Sequence, residues 1–382
     1  MQKSILARTV QLAMLLAVFF IATACDQSPI FHSISNETER KTASVPGTPS
    51  RTVQMANGSV FVANGKLLKR NGNGWTTIAR PEGKLVRNLA AIGNTLFAMT
   101  ISETELTTNI WISTDDAGTW SASPIQLDSG ASGYSTFDSL FTAGPTGSET
   151  LFVGAHNGSS NYVVLRFDGT KLVKETAEFV NGGRLTGAAY LGETLEYYLS
   201  TDSEGIWSGT ALGSLTLESG TNDTSYKLSG IIAVDTDGAS GTDTVIAVGR
   251  GQNLFLSKSG ATFTSADKGY IFPGALAVFN DGTMNRLLVA IQDGTTYGFM
   301  EIDIDGLAGS ADAAAVTLGK TGGDSTSTSD YAQYAGSLGT EAVVGLSYYP
   351  SGVSSDGGIL FASTANEGLW SSTNRGKWNL ES

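Results

Sequence analysis

The sequence predicts an all-β protein: a seven-bladed β-propeller of four-stranded antiparallel blades, after a signal peptide and a flexible tether. Two observations support this prediction. One type of apolar strand recurs seven times, and two distant segments, 109–120 and 368–378, repeat an apolar strand, a Ser/Asp/Gly turn and a tryptophan. Recurrence every ~40–50 residues is typical of propeller blades, whose closed ring leaves only short strand edges exposed.

The first 24 residues have the pattern of a secretory signal peptide. Lys3 and Arg8 precede the uncharged apolar run 10–22, which is too short and wrongly flanked for a membrane span. The run ends in Ile-Ala-Thr-Ala before Cys25, an order that resembles a bacterial lipobox. The resemblance implies cleavage before Cys25 and lipidation of this only cysteine in the chain with an acyl group such as palmitate. A cleaved, soluble exported protein is the alternative.

The segment that follows is predicted to be a flexible tether. It is rich in Ser, Thr, Asn and Pro and has one aromatic residue, Phe31. Such a composition buries too little apolar surface to fold. The predicted organisation is therefore a signal peptide at 1–24, a lipidated cysteine and tether at 25–50, and a propeller at 51–382.

Each of the seven units contains a continuous apolar strand, a polar loop and a second strand. The first strands are predicted at 60–63, 96–99, 151–154, 197–199, 245–248, 287–290 and 360–362, and the second at 66–69, 109–112, 162–165, 205–207, 253–256, 297–300 and 368–370. Continuous apolar runs are typical of strands buried on both faces. A third run follows each pair and another precedes it, which gives four strands a blade. Six steps from Phe61 to Phe361 cover 300 residues, or 50 a blade. A pair of β-sandwiches is the alternative fold.

The turn Ser113-Thr-Asp-Asp-Ala-Gly-Thr-Trp120 resembles the Asp box, or BNR repeat, of sialidase-like propellers, and a shorter copy runs from Ser372 to Trp378. The turn residues expected from this resemblance are Ser113, Asp115, Gly118, Trp120, Ser372, Asn374, Gly376 and Trp378. Asp or Asn can bond nearby backbone N–H groups, Gly supplies a positive φ, and the Trp packs between sheets. The resemblance implies that these turns stabilise the fold on the face opposite a ligand site.

The sequence does not contain a recognisable catalytic site. The sialidase resemblance would imply an Arg-Ile-Pro motif, which is absent, and the only histidines are His32 and His156, without a nucleophile signature nearby. No Cys or His cluster can hold zinc. The Asp-x-Asp-Gly runs at 235–238 and 303–306 are typical of turns, with calcium binding as the weaker alternative. We therefore expect no catalytic residue, no metal and no cofactor.

A ligand is expected on the face formed by the polar loops between these two strands of each unit, which are the second and third strands of each blade once the preceding run is counted. These loops place a mainly acidic rim on one face, made of Glu103, Glu105, His156, Asp202, Glu204, Arg250, Asp293 and Glu367. Such a rim could steer a cationic or polar partner. A solvated face on an acidic protein is the alternative.

Charge and composition narrow the function. The chain has 23 Lys and Arg residues; without Lys3 and Arg8, 21 remain against 36 Asp and Glu, a formal charge of −15 after residue 24. Such a surface argues against nucleic-acid binding, so membrane contact is expected through the lipid alone. The sequence favours a monomeric, non-catalytic propeller lipoprotein of the bacterial cell envelope that binds a protein partner or serves as an assembly scaffold. A carbohydrate-binding or carbohydrate-active, sialidase-like propeller is the alternative.

Overall fold

A computed structural model describes residues 43–81, 84–102, 104, 107–158, 161–179, 182–236, 243–280, 285–294, 296–304, 307, 310, 312–319, 342–350, 358–373 and 378–381. Within these ranges the chain forms seven β-sheets and two 3-10 helices, Ser129–Ala131 and Ala313–Ala315. No helix in this described part is both long enough and apolar enough to cross a bilayer. The signal peptide, Cys25 and residues 26–42 of the tether lie outside it and stay predictions.

The seven sheets follow one another along the chain and are named blades 1 to 7. Blade 1 contains β1 to β4 (Val53–Gln54, Val60–Ala63, Leu67–Asn71 and Gly74–Thr77), and blade 2 contains β5 to β7 (Lys84–Ile92, Thr95–Ser102 and Thr108–Ser113). Blade 3 contains β8 to β12 (Gln126–Leu127, Thr136–Ala143, Thr150–His156, Tyr162–Phe167 and Lys171–Lys174). Blade 4 contains β13 to β16 (Leu185–Leu191, Glu196–Thr201, Gly205–Gly209 and Thr216–Leu217).

The last three blades repeat the same order. Blade 5 contains β17 to β20 (Leu228–Val234, Thr244–Gly249, Asn253–Lys258 and Thr264–Asp267). Blade 6 contains β21 to β23 (Leu276–Asn280, Asn285–Asp293 and Thr296–Asp303). Blade 7 contains β24 to β27 (Val343–Tyr349, Ile359–Thr364, Leu369–Ser372 and Asn379–Leu380).

The blades form a closed ring around a central channel, which confirms the predicted seven-bladed propeller. Seven apolar clusters lie in the described part, each between two neighbouring blades, including one between blades 7 and 1. Each blade has an inner strand, which is β9 in blade 3 and the first strand of every other blade, and residues at or just before these inner strands line the channel. The hydrophobic core is therefore divided among the blade interfaces.

Two blades depart from four regular strands in the described residues. In blade 2, Ser121 N and Ile125 N donate to the outer edge of β7, at the carbonyls of Ile112 (2.8 Å) and Ile110 (2.8 Å). The chain then crosses to blade 3, where β8 pairs in parallel with β12. Pro124 lies in this crossing segment and lacks the N–H that a regular strand needs. In blade 6, Gly319 exchanges two backbone hydrogen bonds with Glu301 and fills the outer position.

The ring closes with residues that were assigned to the tether from the sequence. Val45 is fully buried, and its carbonyl accepts a hydrogen bond from Leu369 N of blade 7 (3.1 Å). In blade 4 the equivalent N–H, that of Ile206, donates to Thr221 Oγ1 (2.9 Å), in the linker to blade 5. The segment 43–47 therefore takes, in blade 7, the place that an inter-blade linker takes in blade 4.

Glu381 joins blade 7 to blade 1 at this closure. Its buried carboxylate accepts from Trp75 Nε1 (2.6 Å) and Arg70 Nη1 (3.2 Å), both of blade 1, and from Ser371 Oγ of blade 7. The Arg70 guanidinium also lies over the Phe361 ring, 4.8 Å from its centroid. Burial lowers the pKa of Arg70, and the charge of Glu381 opposes that shift. We refer to these contacts and segment 43–47 as the seam.

Five inner strands carry a β-bulge near their start. The register places one extra residue there in blades 2, 3, 4, 5 and 7, namely Arg87, Asp138, Thr186, Ser229 and Val344. A bulge bends the strand and re-aims the side chain of the extra residue. Four of these residues line the channel and Asp138 lines the pocket beside it.

Candidate functional site

The face on which the inner strands begin carries a pocket of about 550 Å³ between blades 3 and 6. The loops that join the second and third strands lie on the same face, which we call the loop face. The polar side chains that line this loop-face pocket include Asp138, Tyr162, Arg184, Asp202, Lys227 and Arg250. They belong to three successive blades, so the closed ring is what brings them together.

Two sets of hydrogen bonds, each called a clasp here, hold the loops of blades 4 and 5 against the linkers that line the pocket. In blade 4, Asp202 accepts from Arg184 N through Oδ1 (2.8 Å), and its own N–H donates to the Arg184 carbonyl (3.0 Å). Ser203 Oγ donates to the carbonyl of Gly182 (2.6 Å). In blade 5, Arg250 N donates to the carbonyl of Lys227 (3.0 Å). Each clasp ties a loop to the linker before an inner strand and so fixes where the cationic side chains begin.

The blade 3 end of the pocket is acidic. Asp138 Oδ1 lies 3.7 Å from His156 Nε2, whereas Asp138 Oδ2 is buried and has no hydrogen-bond donor among the described residues. Burial raises the pKa of Asp138; the charges of His156 and Arg184 oppose that shift, and Asp202 adds to it. Gly158 N donates to His156 Nδ1 (3.1 Å), which turns Nε2 toward Asp138.

The middle of the pocket is held by Tyr162 and Arg184. The Tyr162 ring lies 5.2 Å from the His156 ring, measured between centroids. A hydrogen bond with Tyr162 raises the pKa of the exposed Arg184 guanidinium, and burial opposes this shift. The pocket therefore has a positive charge beside its buried carboxylate.

The blade 5 end of the pocket is basic. Lys227 and Arg250 are exposed, and neither side chain forms an ion pair or hydrogen bond with another described residue. Together with Arg184 they place three cations in a pocket with two carboxylates. In a chain with a formal charge of −13 this is a local cationic excess. A ligand that presents an anionic group to this end would gain charge-assisted hydrogen bonds.

The structure separates the residues of the predicted rim. Asp202 and Arg250 line the pocket, and His156 and Glu204 lie beside them. Asp293 ends β22 in blade 6, and Glu367 lies on blade 7, where it forms a β-bridge with Gly47. Glu103 and Glu105 lie outside the described residues. Four of the polar pocket residues, Asp138, Tyr162, Arg184 and Lys227, were not predicted as site residues.

A sequence signal for the missing cations exists. Arg184-Leu-Thr-Gly187 and Lys227-Leu-Ser-Gly230 repeat the order base, Leu, hydroxyl residue, Gly at the start of two inner strands. The glycine permits close packing of neighbouring blades, because a Cβ at Gly230 would lie 2.4 Å from the Gly274 carbonyl oxygen. The repeat therefore identifies the two blades in which a basic residue just before the inner strand lines the pocket.

On the opposite face, Asp115 organises the turn between Ser113 and Trp120. Asp115 Oδ1 accepts from Thr119 N (2.8 Å) and Ser113 Oγ (2.8 Å), and Oδ2 accepts from Thr119 Oγ1 (2.6 Å). These hydrogen bonds, those from Thr119 first, lower the pKa of Asp115 to about 2. The turn is thus held together by one carboxylate, which accepts from a backbone N–H four residues on and from two hydroxyls.

The glycine of this turn has another role than predicted. Positive φ angles occur at Asp116 (64°) and Ala117 (63°), and not at Gly118. A Cβ at Gly118 would lie 3.2 Å from both the carbonyl oxygen and Oδ2 of Asp115. Gly118 therefore serves close approach to the carboxylate, whereas Ala117 takes the left-handed conformation that glycine adopts more readily.

The tryptophans of the two similar turns pack at blade interfaces. Trp120 is half-buried beside the cluster between blades 1 and 2, and its Nε1 donates to the Ala79 carbonyl (3.2 Å). Trp378 is buried between blades 6 and 7 and stacks on Phe299, with 5.3 Å between ring centroids. Asn374 and Gly376 lie outside the described residues.

Among the described residues, no group of three or more His, Cys, Asp or Glu side chains could hold a metal ion. Asp237 and Asp305, from the two Asp-x-Asp-Gly runs, lie outside those residues.

The sequence matches no protein-family model and no curated protein. The structure is similar to a GH74 enzyme from Niastella koreensis, with a TM-score of 0.55, 14% identity, and 89% of this chain and 55% of that chain covered. It is also similar to YCF48 from Cyanidioschyzon merolae (0.51, 14%, 86% and 96%) and to BBS1N in a complex with ARL6DN (0.52, 11%, 86% and 92%). At these identities the similarity shows the propeller fold alone, and the same fold hosts different functions.

Proposed function

We propose that this protein is an exported lipoprotein of the bacterial cell envelope, anchored through lipid on Cys25, whose propeller binds a protein partner without catalysing a reaction. The observation that carries the binding proposal is the loop-face pocket, with Lys227 and Arg250 exposed and free of counter-charges in the described residues. Unpaired cations in an acidic protein favour a partner that offers an acidic or polar segment.

The hydrogen bonds of the pocket support binding rather than nucleophilic catalysis. Ser203 Oγ donates to the carbonyl of Gly182 (2.6 Å) and, at 3.4 Å, to Asp202 Oδ1, which also accepts from Arg184 N, so both side chains are held in hydrogen bonds that fix the loop. His156 faces Asp138 and Tyr162 rather than a hydroxyl or thiol nucleophile. YCF48 and BBS1N, the latter solved with ARL6DN, offer an analogy at the level of fold.

We also propose that the turn at 113–120 is an Asp box with a structural role. Its support is the set of hydrogen bonds to Asp115 and the packing of Trp120 between blades 1 and 2. This turn follows the third strand of its blade, whereas the loop-face loops precede it, so the turn and the loop-face pocket lie on opposite faces. Partner contacts are therefore expected on one face and fold-stabilising turns on the other.

Position-specific photocrosslinking in the full-length, lipidated protein tests the binding site. A crosslinking amino acid at Lys227 or Arg250 is expected to capture the same partner from native envelopes. The matched control is Leu195, which is 62% exposed on the opposite face of blade 4. Equal capture from Leu195, or different proteins from Lys227 and Arg250, would contradict the proposal.

Anchoring is tested separately. Metabolic labelling with an alkyne palmitate analogue is expected to mark the wild type, and Cys25→Ser should lose the label and leave the membrane fraction. Retention of label in Cys25→Ser would refute lipidation at this residue.

A carbohydrate-active function is the second candidate, favoured by one observation. Asp138 and Asp202 line the same pocket, and burial raises the pKa of Asp138 as a general acid requires. A glycan array and a panel of fluorogenic glycosides test this function. Hydrolysis that Asp138→Asn abolishes would replace the scaffold proposal, and glycan binding without hydrolysis would indicate a lectin.

A further inference from the structure

The central channel contains two arginines and no carboxylate among the described residues that line it. At the loop-face end, the channel encloses about 250 Å³, and Arg51 and Arg87 are the charged side chains among the described residues that line it. A second part of about 300 Å³ continues from it, where Arg51 is the one charged residue of the described lining. Arg51 therefore lies where the two parts meet.

Neither arginine has a counter-charge within the described part of the chain. No ion pair or hydrogen bond joins either guanidinium to another described residue. Arg51 lies over the Phe141 ring, 5.9 Å from the ring centroid, and crowding by protein atoms lowers its pKa although it stays open to water in the channel. By contrast, the guanidinium groups of Arg70 and Arg166 pair with Glu381 and Glu175.

The backbone fixes both arginines at this place. Arg87 is the extra residue of the bulge in β5, and bulges re-aim side chains. Arg51 is flanked by Ser50 and Thr52, whose carbonyls accept from Ser363 Oγ (2.7 Å) and Ser347 Oγ (3.0 Å) of blade 7. Two exposed cations without a counter-charge among the described residues are thus held in one confined space, where an anion would gain charge-assisted hydrogen bonds from both.

We propose that the channel binds one small oxyanion between Arg51 and Arg87. The planar fork of a guanidinium matches the oxygens of phosphate, sulfate or a carboxylate. The anion could be a free ion or a carboxylate that a partner inserts into the channel mouth. This site is distinct from the loop-face pocket and does not rest on the proposed function.

Thermal unfolding and calorimetric titration of the purified full-length protein test the site. At constant ionic strength, phosphate, sulfate, acetate and a short peptide ending in Asp are each compared with chloride, which removes general screening. Saturable binding and a rise in Tm are expected for at least one oxyanion. Arg51→Gln and Arg87→Gln should each weaken it at least tenfold, and Arg51→Lys and Arg87→Lys less than that.

The control is Lys174→Gln, which removes an exposed cation from β12 of blade 3, away from the channel and the loop-face pocket, and should leave oxyanion affinity within twofold. Each variant is first shown to be folded by its unfolding transition in chloride. Saturation by phosphate or sulfate identifies a free ion, and saturation by acetate and the peptide alone identifies a carboxylate. The proposal fails if no oxyanion saturates, or if all three Gln variants weaken binding equally.

Discussion

Blades 4 and 7 have the same local design but differ in how the chain connects them to their next neighbour. Both contain Thr-x-x-Glu-Gly-x-Trp-Ser, at 201–208 and 364–371. The threonine hydroxyl donates to the glycine carbonyl in each, at 2.9 Å in blade 4 and 2.8 Å in blade 7. The serine hydroxyl then donates to a glutamate after the last strand, Glu218 or Glu381.

The difference lies at that glutamate. Glu218 is half-exposed, and the chain itself continues into blade 5. Glu381 is buried and bonds Arg70 and Trp75 of blade 1, while segment 43–47 replaces the missing linker. A covalent linker connects blade 4 directly to blade 5, whereas the seam depends on a buried ion pair and a docked strand segment.

The largest expected effect comes from Glu381→Ala. It leaves the buried Arg70 guanidinium and the Trp75 N–H without their acceptor, so we expect a loss of about 3 kcal/mol in the free energy of unfolding. Urea denaturation followed by tryptophan fluorescence measures it. Glu218→Ala is the matched control in blade 4 and should cost about 1 kcal/mol. Equal losses would show that the seam carries no special share of stability.

Thr221→Val tests the linker side of the comparison. Thr221 is fully buried, and its hydroxyl accepts from Ile206 N. Loss of this acceptor leaves a buried N–H unsatisfied, so stability should fall by about 2 kcal/mol. In blade 7 the backbone carbonyl of Val45 accepts the equivalent N–H, that of Leu369, and a side-chain substitution keeps this acceptor. Val45→Thr should therefore lower the free energy of unfolding by less. Calorimetric Tm values of both variants decide, and a greater loss for Val45→Thr would contradict the comparison.

The turn of Asp115 lies where blade 1 contacts its other neighbour, blade 2. The stability that this turn contributes should depend on pH in the acidic range, which distinguishes it from the seam. The pKa of Asp115 is lowered to about 2. Because the pKa of Asp115 is depressed in the folded state, its ionised carboxylate stabilises the fold at pH values above the ordinary pKa of 3.8. This stabilisation is lost as the pH falls toward 2. Asp115→Asn should therefore have a lower Tm at pH ~6 and lose less of it on acidification. Parallel Tm curves for both proteins would refute this role.

The smallest effect is expected from charge reversal at the two equivalent glutamates, Glu204 and Glu367. Both are half-buried loop-face residues, so each Lys variant should change stability by under about 0.5 kcal/mol. Glu204 adjoins the loop-face pocket and Glu367 does not. Partner crosslinking at Lys227 should rise a few-fold in Glu204→Lys only, because an added cation beside the pocket favours the acidic segment proposed for the partner. An equal fall in both variants would favour a continuous acidic rim.

The sequence was most informative where each blade depends on its own residues. Continuous apolar strands such as 96–99 must be buried on both faces, so their repetition predicted seven blades. The seam could not be predicted, because segment 43–50 contains only one large apolar residue, Val45, and its place depends on contacts far along the chain. The pocket was predicted only in part. Asp202 and Arg250 lie in loops between adjacent strands, which are easier to locate, whereas Arg184 and Lys227 lie in linkers that vary in length.

The seam also has a mechanical consequence. Any pull applied through the residues before Ala43 reaches the propeller first at Ser44, Val45 and Gly47, which are held by three backbone hydrogen bonds to blade 7. Those bonds can be peeled one at a time, whereas a strand inside a blade is held on both edges. Tension on the N-terminus would therefore act first on the contact between segment 43–47 and blade 7, before it reaches the other six blade interfaces.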